Sequence, residues 1–416
     1  MSAAWRLYRL AAPWAGRLSP LALPFLPAAE RALWNERLGR CVPGPADAWV
    51  HGASLGEAGA VQPLLEALRA AAPGARLHAT ATTRSGRERL ASADVPATLA
   101  PLDTPAATRR FFDALAPRRL LIVETELWPH WLLEAERRGV PVAFVSARLS
   151  ERSLRGYRRL GAPLARLAAG LAAALCQTDA DARRWLALGV RPERCVVTGN
   201  LKNDALPRPA DRAAARRALG LEPARPLLVL GSVRPGEPAR LARLWAGLAE
   251  PVRARWQVAV VPRHPHASAA LLAEARAAGL PVAGAGEAAV FPAWRWDARL
   301  GVLRGYWAAC DVAFVGGSLA PFGGHHPLEP AATGAAVAIG PHHGSQQAAV
   351  DALEKSGALP RIDSERAALD HLADLLGDDA ARARRAAAAM AAAEAERGAT
   401  ARTMAQLVRL GVWPAW

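Results

Sequence analysis

Ala48-Trp49-Val50-His51-Gly52-Ala53-Ser54-Leu55-Gly56-Glu57 is the stretch whose reading decides the fold. Ala48–His51 is a short apolar run that reads as a strand, a glycine-bearing turn follows, and Ala58–Ala71 has helical spacing. The same grammar repeats outward. Arg76–Thr80, Leu120–Val123 and Val140–Val145 read as further strands, each followed by polar or glycine residues and then helical material. Such alternation builds a parallel sheet with helices on both faces. The Pro/Arg-rich stretch Leu206–Pro209 reads as a linker, and a second series then runs through Pro226–Leu230, Gln257–Val261, Val312–Val315 and Ala335–Ile339. An Ala/Arg-rich helix is expected over Asp379–Arg397, stopped at Gly398, with Leu407–Trp416 packing back on the first domain. The expected architecture is α/β: two Rossmann-like domains, 41–206 and 207–416, with parallel sheets facing across a cleft, preceded by a segment 1–40.

Composition narrows the function classes. A chain of 416 residues suits two domains. With 52% hydrophobic and 21% charged residues it can bury a large core, which excludes a globally disordered chain. Cys41, Cys176, Cys195 and Cys310 are scattered, so no zinc or redox motif is present and a cytosolic location fits. The net charge of +15 points to an anionic partner, although compositional bias toward Arg and Ala accounts for the same excess. No aromatic-interleaved basic stripe or nucleic-acid motif accompanies it, so no nucleic-acid partner is expected.

Residues 1–30 are apolar, but Arg6, Arg9 and Arg17 interrupt them and Pro13, Pro20, Pro24 and Pro27 break the helical pattern. Neither a membrane span nor a signal peptide is expected. Trp5, Tyr8 and Trp14 alternate with the arginines, as suits a segment lying on an anionic membrane surface. The alternative is an ordinary amphipathic helix on the first domain.

Five motifs carry chemistry. Glu57, beyond the first strand, is a candidate general base, since ligands of open parallel sheets bind at the carboxyl ends of strands. Ser54-x-x-Glu57 is equally a capping box. Glu124 and Glu126 follow the Leu120–Val123 strand and share a side if that strand continues; helix-start carboxylates are the alternative. Gly199-Asn200-Leu201-Lys202-Asn203-Asp204 holds one of only two lysines and two of only three asparagines in the chain. A lysine kept where arginine is the habit suggests a compact point charge, able to neutralise charge in a transition state. Val261-Pro262-Arg263-His264-Pro265 places an arginine after a strand, which suits a phosphate. Val315-Gly316-Gly317-Ser318-Leu319 and Gly323-Gly324-His325-His326-Pro327-Leu328-Glu329-Pro330 run from a strand through glycines into a helix start. Backbone N–H groups there would form a phosphate nest, with Glu329 placed to accept ribose hydroxyls. His325, His326, His342 and His343 cluster without a carboxylate or cysteine at ligand spacing, so no metal is expected. Asp179-Ala180-Asp181 imitates a metal-binding D-x-D but precedes an apolar-periodic helix, where capping is expected.

Taken in order, H-G-A-S-L-G-E, E-T-E-L-W-P, S-A-R-L-S-E-R-S, T-G-N-L-K-N-D, V-P-R-H-P and V-G-G-S-L with G-G-H-x-P-L-E-P resemble the 3-deoxy-D-manno-octulosonic acid (Kdo) transferase family from about Leu38 to Gly344. The resemblance implies a glycosyltransferase of the two-domain GT-B type at the cytoplasmic face of the bacterial inner membrane. CMP-Kdo would be the donor substrate and the lipid A precursor the acceptor, with inversion and with no metal or other cofactor. Glu57 falls on the family's catalytic base, and Glu124 and Lys202 on residues that stabilise the transition state. Pro262 and Arg263 fall on one CMP-binding segment, Gly301 on a second, and His326, Pro327, Leu328 and Glu329 on a third. Four places depart from the pattern. His326 replaces an asparagine; Gly301-Val302-Leu303 lacks a glutamate; Gly344-Ser345-Gln346 replaces Phe-Asn-Phe; and the anchor helix is proline-broken. A GT-B transferase or epimerase using a UDP-sugar, and a non-catalytic anionic-lipid-binding protein, are the competing expectations.

Overall fold

A computed structural model of the chain describes residues 2–18, 23–24, 26–283 and 291–414; Pro20 and Trp416 lie outside them. The chain forms two compact units, one of Met1–Ala205 with Arg397–Trp416 and one of Leu206–Glu396.

The first unit is built on seven parallel strands: β1 (Ala48–His51), β2 (Leu77–Ala81), β3 (Ala97–Leu99), β4 (Leu120–Val123), β5 (Val142–Ala147), β6 (Ala173–Cys176) and β7 (Cys195–Val197). They lie in the order β3-β2-β1-β4-β5-β6-β7, so direction along the sheet reverses between β1 and β4. The central strands are apolar throughout because helices cover both faces. Trp49 and Ile122 pack on one face with Phe111, Phe112 and Trp131. Val50 and Leu121 pack on the other with Val61, Leu64, Leu407 and Trp413. Each such side chain contributes about 1.5–3 kcal/mol by leaving water.

Two terminal expectations are corrected. Helix α1 (Ala3–Leu18) runs through Pro13 instead of breaking there. A proline removes one backbone bond, and docking offsets that loss: Trp5 is buried in the core cluster of Trp49 and Phe111, and the Tyr8 hydroxyl meets both Asp103 and His130. At the other end, Gly398 does not stop the Ala/Arg-rich helix, which ends at Ala395. It sits at φ 83° as the N-cap of a further helix, Ala399–Arg409. Asp204 accepts from the N–H groups of Gly398, Ala399 and Thr400 at 2.5, 3.2 and 2.6 Å, which fixes that helix start on the first unit. The segment from Arg397 therefore belongs with the first unit, not with the 207–416 domain read from the sequence.

The second unit has five parallel strands: β8 (Leu227–Val233), β9 (Gln257–Pro262), β10 (Arg295–Trp296), β11 (Val312–Val315) and β12 (Ala336–Ile339), in the order β10-β9-β8-β11-β12. Its strand order reverses between β8 and β11. Each unit thus has one switch point, the place where an open α/β sheet binds its ligand.

Candidate active site

In the first unit the two strands that flank the switch point end in the residues singled out by sequence. Glu57 follows β1, and Glu124 follows β4. Capping and function coincide at Glu57. Ser54 is the N-cap of helix Leu55–Ala71, and its hydroxyl accepts from Glu57 N–H at 3.3 Å. The Glu57 carboxylate reaches back to accept from Ala53 N–H at 2.6 Å and Ser54 Oγ at 3.2 Å. Gly52 is needed for this turn, because a Cβ there would meet Val61 Cγ2 at 2.7 Å. Burial raises the Glu57 carboxyl above its ordinary value; the charges of Glu124 and Glu126 add to this, and the Ala53 N–H opposes it.

Glu124 and Glu126 are not aligned by a continuing strand. Glu124 stands at φ 63°, a left-handed conformation that ends β4. Its N–H bonds Val145 O at 3.1 Å, which holds the turn. The chain turn, not period two, brings both carboxylates within electrostatic reach of Glu57. Lys202, in the 3-10 turn Leu201–Ala205, places Nζ 2.6 Å from Glu124 Oε1. That turn is itself anchored. Asn200 Oδ1 accepts from Lys202 N–H at 3.0 Å, and Ser146 Oγ accepts from Leu201 N–H at 3.3 Å and Gln177 Nε2 at 3.2 Å. Ser146, at φ 49°, lies in the register shift of β5. Glu57, Glu124 and Lys202 therefore form one charged group, supported by Ser146, the first residue of the S-A-R-L-S-E-R-S motif, to which the sequence reading assigned no role.

In the second unit Pro262 is buried at the end of β9, and exposed Arg263 gives its N–H to Val233 O at 3.2 Å. Arg234, after β8, lays its guanidinium 4.2 Å from the Phe322 ring centroid. Burial pushes His325 down to about 4, and the cations Arg263, Arg234 and His264 act in the same direction. Arg263 is thus brought together with Arg234, His264 and His325. Pro327 and Leu328 are buried and Glu329 is exposed, with Leu328 and Glu329 in the first turn of helix Leu328–Ala332. Gly301 is exposed at φ 83°, ahead of helix Leu303–Ala309.

The expected phosphate nest at Gly317–Leu319 is corrected. Its N–H groups already hold a carboxylate of the chain itself. Glu237, wholly buried, accepts from Gly317 and Ser318 at 2.9 Å and Leu319 at 3.0 Å, and also from Arg234 N–H at 2.8 Å. Nests attract anions whether free or covalently attached. No pattern in the sequence links position 237 to a loop some 80 residues on.

The D-x-D look-alike is a cap. Thr178 caps helix Asp179–Leu188, and Asp181 accepts from Thr178 Oγ1 at 2.6 Å and Leu149 N–H at 2.9 Å. Among the described residues, no group of three or more His, Cys, Asp or Glu is gathered as for a metal ion. Likewise, no described helix is long and apolar enough to cross a membrane.

Residues 32–205 match the family described as 3-deoxy-D-manno-octulosonic-acid transferase (kdotransferase). The chain is 40% identical to the 3-deoxy-D-manno-octulosonic acid transferase of Bordetella pertussis over 88% of its own length and 89% of the relative's. It is 31% identical to that of Chlamydophila psittaci (strain ATCC VR-125 / 6BC), over 76% and 75%. In fold it resembles the UDP-GlcNAc 2-epimerase of Neisseria meningitidis, with a TM-score of 0.59 at 14% identity over 87% of this chain and 99% of that one. The last likeness is one of architecture, the two-domain GT-B type. Given the identity that runs along nearly nine-tenths of both the pertussis protein and this one, the chain belongs to the 3-deoxy-D-manno-octulosonic acid transferase family and is a glycosyltransferase.

Proposed function

We propose that the protein transfers Kdo from CMP-Kdo to the lipid A precursor (lipid IVA), with inversion at the anomeric carbon and without a metal ion. The observation that carries this reading is Glu57: a carboxylate fixed by Ala53 N–H at 2.6 Å, beside the switch point, with its affinity for a proton raised by burial. Glu57 takes the proton of an acceptor hydroxyl as the oxygen attacks the anomeric carbon. CMP leaves with the bonding pair. Lys202 and Glu124 stabilise charge that develops in the transition state. The anionic donor is received in the second unit, where Arg234 and Arg263 supply cations, His325 stands beside them as a neutral imidazole, and Pro262, Gly301 and His326–Glu329 line the nucleotide.

The acceptor is a bisphosphorylated lipid, and α1 suits work at the anionic cytoplasmic face of the inner membrane. It exposes Leu7, Leu10 and Trp14, residues 69%, 67% and 60% accessible, while Trp5 anchors it. An apolar outer stripe on a docked basic helix is the pattern of interfacial binding.

A transfer assay tests the reading. Purified protein, CMP-Kdo generated in situ and lipid A precursor are combined, and products are read by mass spectrometry. A gain of one or more Kdo units is expected. Folded protein that binds CMP but yields no product refutes the donor–acceptor pair.

A further inference from the structure

His51 ends β1 and is wholly buried, with its ring edge-on to Trp131 at 5.0 Å between centroids. Its Nδ1 lies 2.8 Å from Thr80 Oγ1. The same oxygen accepts from the indole N–H of Trp49 at 2.7 Å. An indole nitrogen only donates, and among the described partners of that oxygen His51 Nδ1 is the one that can accept, so the Thr80 hydroxyl proton is assigned to it. This satisfies the hydroxyl, and it places the imidazole proton on Nε2. Nε2 is buried and has no hydrogen-bond partner. It faces Glu126 Oε2 at 3.9 Å, beyond hydrogen-bond reach, and the Glu126 side chain is 26% exposed. A buried donor left open costs about 1–3 kcal/mol unless something completes it. Glu126 in turn is close enough to Glu57 to raise its affinity for a proton, so it stands beside the base. Glu124 is paired with Lys202 at 2.6 Å, whereas among the described ion-pair contacts Glu126 faces this imidazole alone, a neutral ring with its proton on Nε2.

We infer that Glu126 is an acceptor-binding carboxylate that takes a hydrogen bond from a hydroxyl of the acceptor sugar, and that His51 is the positioning residue that holds it through Nε2–H. The inference rests on Glu57 being the base. Glu57 takes the proton of the attacking hydroxyl; Glu126 orients the sugar that carries it. On binding, the Glu126 carboxylate swings toward Nε2, which closes the open donor, and its other oxygen receives the sugar hydroxyl. The Trp49–Thr80–His51 chain fixes the tautomer from beneath, so the donor is ready before the acceptor arrives.

The test is steady-state kinetics of the full chain with lipid A precursor varied at saturating CMP-Kdo, and the converse. Glu126→Gln keeps the shape but weakens the acceptor group. It is expected to raise the acceptor KM about tenfold or more, as loss of a hydrogen bond to a charged group does, and to leave the donor KM unchanged. His51→Phe keeps the ring against Trp131 and is expected to raise the same KM. His51→Gln, which retains a donor at the Nε2 position, should recover most of the loss. The double variant Glu126→Gln/His51→Phe should be no worse than the weaker single variant. An unchanged acceptor KM in Glu126→Gln overturns the inference, and so do losses that add in the double variant. If His51→Phe does not fold, Glu126→Gln and His51→Gln decide alone. Failure of the underlying reading is separately visible: Glu57→Gln would then stay active, whatever the other variants do.

Discussion

Lys202 Nζ lies 2.6 Å from Glu124 Oε1, across 78 residues of sequence. Both partners are set by unusual backbone. Glu124 stands at φ 63°, and Lys202 sits in a short 3-10 turn pinned through Asn200 and Ser146. A non-glycine residue held there costs about 1–3 kcal/mol, which the surrounding bonds must offset. Lys202→Ala is expected to lower kcat by about 10²–10³, the usual cost of losing one charge-stabilising group. Lys202→Arg should recover little, because a planar fork does not fit the place of a point charge. Glu124→Gln with Lys202→Ala should lose less than the product of the single losses, as expected for groups acting as a unit. Strictly multiplicative losses in kcat would show that the two act independently.

Glu57 serves as both cap and base, and two substitutions separate the roles. Glu57→Gln keeps the oxygen that accepts from Ala53 N–H, so the cap survives while the base is lost. Activity should fall by about 10²–10⁴. Stability should not fall. The Glu57 carboxyl is raised on folding, so the folded state binds its proton more tightly, and ionisation above that raised value costs folding energy. Stability from this group is present at low pH and is lost as pH rises through the folded value. At neutral pH Glu57→Gln removes that penalty, and its melting temperature should equal or exceed the parent's. Glu57→Ala loses the cap as well and should melt lower, by the equivalent of about 1 kcal/mol.

The same raised carboxyl shapes the pH profile. A base works only when ionised, so kcat/KM should fall as pH drops through the Glu57 value. That limb should lie above the ordinary glutamate position of 4.5. After burial, the Glu124 charge is the largest cause that raises Glu57. Removing it in Glu124→Gln should move the acid limb of the residual activity to lower pH. A limb that stays in place in this variant would assign it to another group.

Much of the site was legible because strands with helices on both faces are apolar throughout. β1, β4 and β11 were read to the residue, and β9 to within one. β6 was not, since Ala173-Ala174-Leu175-Cys176 looks like the Ala-rich helices around it. The edge strands β3, β7 and β10 have only three, three and two residues, too few for any periodicity. The Pro13 helix was missed because proline's local cost is visible in sequence and the Tyr8–Asp103 contact that offsets it is not. Lys202 was found by scarcity and Glu57 by its place after a strand. His51 stood inside the first motif with no assigned task, because its open Nε2 depends on Thr80 and Trp49 in the fold.

Glu237 was invisible for the same reason, and it carries the last prediction. Its carboxylate takes four backbone N–H groups, from Arg234, Gly317, Ser318 and Leu319, at 2.8 to 3.0 Å with no exposure to solvent. It joins the turn after β8 to the turn after β11, the two strands at the second unit's switch point. The packing there is close: a Cβ on Gly317 would lie 3.2 Å from His325 and 3.4 Å from Arg234. Glu237→Ala would strand all four donors, each costing about 1–3 kcal/mol when buried unpaired. The expected loss is at least about 3 kcal/mol in denaturant unfolding of the second unit. Glu237→Gln turns an amide NH₂ toward backbone donors and should recover only part of it. CMP binding should weaken in both, because Arg234 and His325 lose the loops that hold them. Should Glu237→Ala unfold at the parent's denaturant midpoint, those four bonds do not hold the switch point together.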